Sequence, residues 1–264
     1  MNILQAMQTR RSVRTFDARS LAGSLKDRLL EVVGDSSSPF GGEVEIRLER
    51  FDLKGPQSPG TYGVVSGATD YFLIGLGDDE LSALSAGFRF EQVVLRAWQL
   101  GLGTCWIGGT FKGGSFDRGQ SWPSGVRLGL ISPVGQPARK SLREKFTRFA
   151  MRCDSRQPFG SMFFDGDFDT PLSSESTFGE ALAMLRLAPS SVNSQPWRAL
   201  VSGNSVHFYC KRNNSFSVID TGIGICHFVE TEKFYGHAGE FLFEQPAVGA
   251  PGNLKYIVSY NRLS

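Results

Sequence analysis

The apolar positions of the chain fall into stretches whose periods predict helices and strands. Ile3, Leu4 and Met7 form one helical stripe, so the first segment should be a short helix. Leu25, Leu29, Val32 and Val33 share a second helical face, and Ser24 with Asp27 has the spacing of a capping box at its start. Glu43 to Leu48 alternates charged and apolar residues, the pattern of a half-buried strand. Tyr71 to Leu76 is a continuous apolar run of strand length, and Val126 to Ile131 reads as another strand. Between them, Phe88 to Leu100 is apolar nearly all round, which predicts a buried central helix ended by Gly101 and Gly103. Gln57 to Gly67, rich in Gly, Ser and Pro, predicts a mobile loop. Ser141 with Glu144 offers a further capping box, opening a basic helix to about Met151.

After a connector the pattern restarts. Thr177 with Glu180 should cap a helix running from Phe178 to Leu187. A polar loop follows, then a strand from Arg198 to Ser202 with a hairpin signal at Gly203-Asn204. The segment Asp220 to Phe228 opens a second mostly apolar helix, and Lys255 to Tyr260 is a closing strand. The order helix, loop, strand, strand, apolar helix, strand thus occurs twice, which suggests a diverged internal duplication. Its boundaries would be an N-terminal half at 1–151, a connector at 152–172 and a C-terminal half at 173–264.

Composition narrows the classes. A hydrophobic content of 41% supports a packed core and argues against disorder. Lys and Arg number 28 against 26 Asp and Glu, a net charge of +2, too balanced for a nucleic-acid or membrane-surface protein. No apolar run approaches the ~20 residues that span a bilayer. Cys105, Cys153, Cys210 and Cys226 are widely spaced, as free thiols in a reducing compartment would be, so a cytoplasmic location is expected. His207, His227 and His237 make no metal-ligand spacing with them, and no metal is expected. The arginines near the start faintly suggest an organellar transit peptide, but they have a better use.

Three segments could carry chemistry. Arg10, Arg11 and Arg14 surround Ser12 at the exit of the first helix, where guanidinium forks and a hydroxyl suit a phosphate. A solvated basic turn would look the same. Gly101 to Gly109 is too glycine-rich for a helix, and its amides could approach a flat ligand closely. It is not a phosphate loop, because no Lys-Ser/Thr follows, and it ends a helix where a dinucleotide fingerprint would join a strand to one. Ala188 to Trp197 is dense in Ser, Asn and Gln between Pro189 and Pro196, a rigid polar loop suited to a ligand or merely a helix stop and turn. No GxSxG elbow is present, and Cys105 reads better as a packed thiol than as a nucleophile.

Together, RRSVRTF at 10–16, GLGTCWIGG at 101–109 and APSSVNSQPW at 188–197 resemble the nitroreductase family of FMN-dependent oxidoreductases. In ordinary members the Pro-Ser-Ser-x-Asn segment follows soon after RRSxR. Here that place holds Ser36 to Gly42, and the motif comes in the second half, as in the tandem-duplicated branch of the family. The resemblance covers nearly the whole chain. It implies an α+β fold, with an antiparallel-dominated sheet wrapped by helices around a buried central pair, two half-repeats forming a pseudo-dimer. It further implies that Arg10, Ser12 and Arg14, with Arg11 nearby, hold the FMN phosphate, joined by Arg156. Ile107, Gly108 and Gly109 would lie along the isoalloxazine edge, and Pro189, Ser190, Ser191 and Asn193 would close its other side. NAD(P)H would be the electron donor and a nitroaromatic, quinone or similar small molecule the acceptor, with no obligatory side-chain acid or base. The alternative is a flavin-binding sensor or carrier without turnover. The motif order implies one composite site per chain in a monomer, with a homodimer as the alternative.

Overall fold

A computed structural model of the chain describes residues 1–54, 58–117, 119–138 and 155–263. The N-terminal part contains α1 (Ile3–Thr9), α2 (Gly23–Asp35), β1 (Val44–Arg50), β2 (Asp70–Leu76), α3 (Glu80–Gln99), β3 (Gly103–Thr104), α4 (Gly113–Phe116) and β4 (Arg127–Gly135). The C-terminal part contains β5 (Phe163–Asp165), α5 (Gly179–Leu187), β6 (Trp197–Ser202), β7 (Ser205–Lys211), α6 (Ser217–Phe234), β8 (Gly239–Leu242) and β9 (Leu254–Arg262). The fold is α+β, as expected, but the strands form two sheets where one was foreseen. The first has the order β1-β2-β4-β3, and the second β5-β6-β7-β9-β8. Every pairing is antiparallel except β5 with β6. Apart from the added edge strand β5, the second sheet repeats the strand order of the first. The hairpin signal is right: Ser202 pairs with Ser205 across Gly203, whose φ is +57°.

The helix starts differ from their sequence signals. Ala22 precedes α2 and makes no side-chain cap, so Ser24 lies inside the helix. Phe178 precedes α5, also without a side-chain cap, and Thr177 with Glu180 forms no box. The spacing is present in both places, but the chain enters each helix at another residue. A true capping box occurs at α1, where Asn2 and Gln5 satisfy each other's backbone N–H groups. The central helix begins at Glu80, well before its apolar run, and is capped by Asp79, which accepts the Ser82 N–H at 2.8 Å. The basic helix read from Ser141 to Met151 lies outside the described residues. Of the loop at 57–67, residues 58–67 form no regular element, yet Thr61 and Val65 are buried, so the segment is packed.

The core lies between the sheets, around α3 and α6. One apolar cluster runs from Phe72 and Ile74 of the first sheet, through Phe90 and Ile223 of the helices, to Trp197 and Phe208 of the second. A smaller cluster of Val13, Phe16, Tyr71 and Phe116 backs the arginine segment. The two central helices meet backbone to backbone. A Cβ on Gly87 would strike the Ile219 carbonyl and the Ile223 N–H, and one on Gly222 would strike the Leu84 carbonyl and the Phe88 N–H. These contacts are reciprocal: each becomes the other when Leu84, Gly87 and Phe88 are exchanged for Ile219, Gly222 and Ile223. Reciprocity of this kind is the mark of a twofold interface, here between two helices of one chain.

Candidate functional site

The arginine segment is fixed as soon as it leaves α1. Arg10 ends the helix in an extended conformation (φ −58°, ψ 138°). Ser12 then lies beside Thr104 of β3, with the Val13 N–H donating to the Thr104 carbonyl at 2.8 Å. On the other side the Ser66 N–H donates to the Arg14 carbonyl, and the Phe16 N–H to the Ser66 carbonyl, both at 2.9 Å. Gly103 allows the close approach, because a Cβ there would sit 2.7 Å from Val13 side-chain atoms. Each guanidinium group is at least partly withdrawn from solvent, where a basic turn would leave it free. The Arg10 side chain is only 5% exposed. Nε of Arg11 and Nη1 of Arg14 are buried with no hydrogen-bond partner among the described residues. Buried charged donors left open in this way call for an acceptor.

The glycine segment is pinned to the first sheet through Ile107, which exchanges backbone hydrogen bonds with Ile131 at 2.9 and 3.0 Å. Gly101 turns the chain out of α3 with φ +80°. The vacant Cβ position of Gly108 faces the ring of Phe216 and, at 3.1 Å, Leu130 Cδ2. Its missing side chain admits Phe216.

The loop after α5 carries backbone strain. Val192, Asn193 and Gln195 have φ of +47°, +56° and +48°, uncommon for residues with a Cβ and rarest for a β-branched one such as Val192. Three groups of partners hold it there. The Ser191 N–H donates to both Asp220 oxygens at 3.1 and 3.0 Å, and the Ser194 hydroxyl to Asp220 at 3.4 Å. Inside the loop, the Ser190 hydroxyl accepts the Gln195 N–H at 2.9 Å. From the connector, the Asn193 amide donates to the Ser155 carbonyl at 3.0 Å, and the Gln157 N–H to the Gln195 side chain at 2.9 Å. Arg156 donates to the Leu187 carbonyl at the end of α5 at 3.0 Å and to the Asn193 side chain at 3.4 Å. Asp220 is 3% exposed. Burial pushes its carboxyl up to about 7, outweighing the hydrogen bonds from Ser191 and Ser194, which pull it down.

These parts enclose a cavity of about 400 Å³. All the residues named from the sequence line it: Arg10, Arg11, Ser12 and Arg14; Ile107, Gly108 and Gly109; Arg156; and Pro189, Ser190, Ser191 and Asn193. Ser12 and Asn193 therefore face one cavity within a single chain. Sequence reasoning missed Asp220, Phe216, Trp106 and Val64, which also line it. Asp220 had a signal, a lone acid opening an otherwise apolar helix. Val64 and Phe216 had none. Among the described residues no cluster of His, Cys, Asp and Glu could hold a metal ion, and no helix is long and apolar enough to cross a membrane.

Comparison with known proteins gives the following. A family model described as "Putative TM nitroreductase" matches residues 2–231. A crystal structure of "a putative nitroreductase" from Thermotoga maritima is similar over 99% of this chain and 93% of that one, with 19% identity and a TM-score of 0.60. A "putative nitroreductase in complex with FMN" from Desulfovibrio desulfuricans matches 55% of this chain and 95% of its own, at 21% identity and a TM-score of 0.43. A "nitroreductase with bound FMN" from Bacteroides fragilis matches 54% and 91%, at 15% identity and a TM-score of 0.42. No curated protein matches the chain.

Proposed function

The chain belongs to this nitroreductase family, and from that premise we propose that it is an FMN-dependent oxidoreductase passing a hydride from NAD(P)H to a nitroaromatic, quinone or similar acceptor. The observation that carries the reading is the convergence, in one cavity of one chain, of three arginines with buried guanidinium nitrogens, the Ile107-Gly108-Gly109 segment and the strained loop from Pro189 to Asn193.

The donor set fits an FMN. Arg10, Arg11, Arg14 and the Ser12 hydroxyl would hold the phosphate, since Arg11 and Arg14 keep buried N–H groups without an acceptor among the described residues. Arg156 would add its charge from beside the Pro189 loop. Ile107 to Gly109 and Pro189 to Asn193 would flank the ring system. When bound, the flavin supplies the hydride transfer chemistry, and the protein supplies position, electrostatics and access. Several features of the chain serve those ends. The Ile107–Ile131 pairing fixes the glycine segment to a sheet, so backbone N–H groups there need no reorganisation to face developing negative charge. Phe216 and Val64 line the cavity with apolar surface, which limits water near the reacting atoms. Asp220 holds the loop through Ser191, and with its carboxyl raised to about 7 by burial it can hold a proton at the cavity wall below that pH.

One site per chain follows from the same reading, with the chain a monomer of two related halves at 1–151 and 173–264 joined through 152–172. The loop from Ser36 to Gly42, between α2 and β1, occupies the place that the Pro189 loop occupies between α5 and β6. There Phe40 is 3% exposed and packs edge-on against Phe88 at 5.2 Å and Phe241 at 4.9 Å, so side chains fill that region.

The test is direct. Purified protein should bind FMN with a visible flavin spectrum, saturate at one FMN per chain, and lose that absorbance on adding NADH or NADPH. Steady-state NAD(P)H oxidation should then depend on a nitroaromatic or quinone. Absence of FMN binding rejects the reading, and binding without turnover reduces it to a flavin carrier or sensor.

A further inference from the structure

A fully buried carboxylate stands behind the arginine cluster. Glu91 lies in the middle of α3 with no exposure. One of its oxygens accepts the Trp106 indole N–H at 2.8 Å. The other lies 2.9 Å from His227 Nε2 and 3.7 Å from Arg10 Nε. His227, equally buried on α6, has its Nδ1 3.1 Å from the Met184 carbonyl. A carbonyl only accepts, so Nδ1 carries a proton, and a second proton must be shared between Nε2 and the Glu91 oxygen. The Glu91–His227 pair is therefore neutral as a unit. Arg10 beside it keeps its positive charge for an anion in the cavity.

Helix packing does not demand this network. The exchange that maps Gly87 onto Gly222 also maps Glu91 onto Cys226 and His227 onto Gln92. Cys226 is as deeply buried as Glu91, so an uncharged side chain serves at the related place. Buried ion pairs are seldom more stabilising than well-packed apolar residues. The network occurs on one side of the helix pair only, the side that carries Arg10 and Trp106, and both of those residues line the cavity.

We propose that Glu91 is a positioning residue: with His227 behind it, it holds the Arg10 guanidinium and the Trp106 indole at the cavity wall, so that the site selects a planar ligand bearing a phosphate. The proposal rests on the flavin reading for the identity of that ligand. Glu91→Gln keeps the length and shape of the side chain. However, once its oxygen accepts from Trp106, its amide NH2 turns to His227 Nε2, which can accept it, and to Arg10, which only donates, so the Arg10 end of the network must open.

The experiment compares FMN with riboflavin, which has the ring system but no phosphate, by fluorescence titration of the purified chain. Glu91→Gln should lower the preference for FMN over riboflavin by about tenfold, with riboflavin affinity nearly unchanged. In an Arg10→Ala background the same substitution should have little further effect. An unchanged or increased preference overturns the proposal, since a carboxylate acting only as a nearby negative charge would weaken phosphate binding and its removal would improve it. Should Glu91→Gln fail to fold, His227→Gln serves, because it frees Glu91 to neutralise Arg10 and should lower the preference in the same direction; no change overturns the proposal. A wild-type chain that binds neither flavin rejects the flavin reading instead. The positioning of Arg10 is then read from the rise in Tm that inorganic phosphate produces, which should shrink in Glu91→Gln, and an equal rise in both chains overturns it.

Discussion

Asp220→Asn isolates the electrostatic cost of the strained loop. In the folded chain the Asp220 carboxyl is pushed from 3.8 up to about 7, chiefly by burial. Unfolding returns it to its ordinary value. Between those two values the folded chain keeps a proton that the unfolded chain has released. Its stabilising contribution is therefore fully present below about 3.8 and is lost as pH rises through 7. Each unit of separation corresponds to ~1.36 kcal/mol, so the whole shift amounts to roughly 4 kcal/mol. Between pH 5 and pH 8 about 2.5 to 3 kcal/mol of it should disappear. The amide introduced by Asp220→Asn cannot titrate. It still offers one oxygen to the Ser191 N–H, at the loss of a charge-assisted bond when the wild-type carboxyl is ionised. Urea unfolding of both chains from about pH 5 to about pH 8.5, without flavin, gives the difference in stability at each pH. That difference, wild type minus variant, should fall with pH and level off above about 7. A flat difference would refute the reasoning. Hydrogen bonds from Ser191 and Ser194 that outweighed burial would give that same flat result, since a carboxyl held below 3.8 is ionised in both states across this range.

Arg14→Ala should weaken FMN binding by about 1.5–3 kcal/mol, the scale of one charge-assisted hydrogen bond, and titration calorimetry at fixed salt measures it; equal affinity would remove Arg14 from the phosphate. Gly222→Leu should cost about 3 kcal/mol or prevent folding, because Leu84 and Phe88 backbone atoms occupy the space its side chain needs; thermal unfolding close to the wild-type midpoint would show that the helices can separate freely. Phe40→Ala should cost about 3–5 kcal/mol in urea unfolding, as a buried phenyl ring between two others is lost. A small loss would mean that the region it fills is already loosely packed.

How much could be read from the sequence depended on the kind of signal. Long apolar runs such as Phe88 to Leu100 and Tyr71 to Leu76 placed the central helix and a central strand, because burial on all sides leaves no polar period to misread. The first two turns of α3 escaped because Ser82, Ser85 and Gly87 are small and polar. Each is small for a reason outside the helix: Gly87 meets α6, while Ser82 and Ser85 bond the loop before β1. The boxes at Ser24 and Thr177 misled because spacing alone does not say where the chain turns into a helix. For the site, arginines and glycines in sequence clusters gave clear cues, and the structure gathers them around one cavity. Asp220 and Glu91 were passed over because an isolated acid normally marks solvent, and only the packed structure shows each enclosed with its partners.

The crossing of Gly87 with Gly222 also bears on how the molecule comes together. It joins residues separated by roughly half the length of the chain, so it closes one of the largest loops available and belongs to the slow, non-local part of folding. The cavity has walls on both sides of that closure. It can exist only once the closure is made, and no local segment can present a partial version of it. A ligand held there binds the fully docked chain and nothing less, so its free energy of binding adds to the stability of the whole, growing with the logarithm of ligand concentration. The cofactor would then act as a late fastener, and a chain starved of it would be the one most exposed to partial opening along the seam between its central helices.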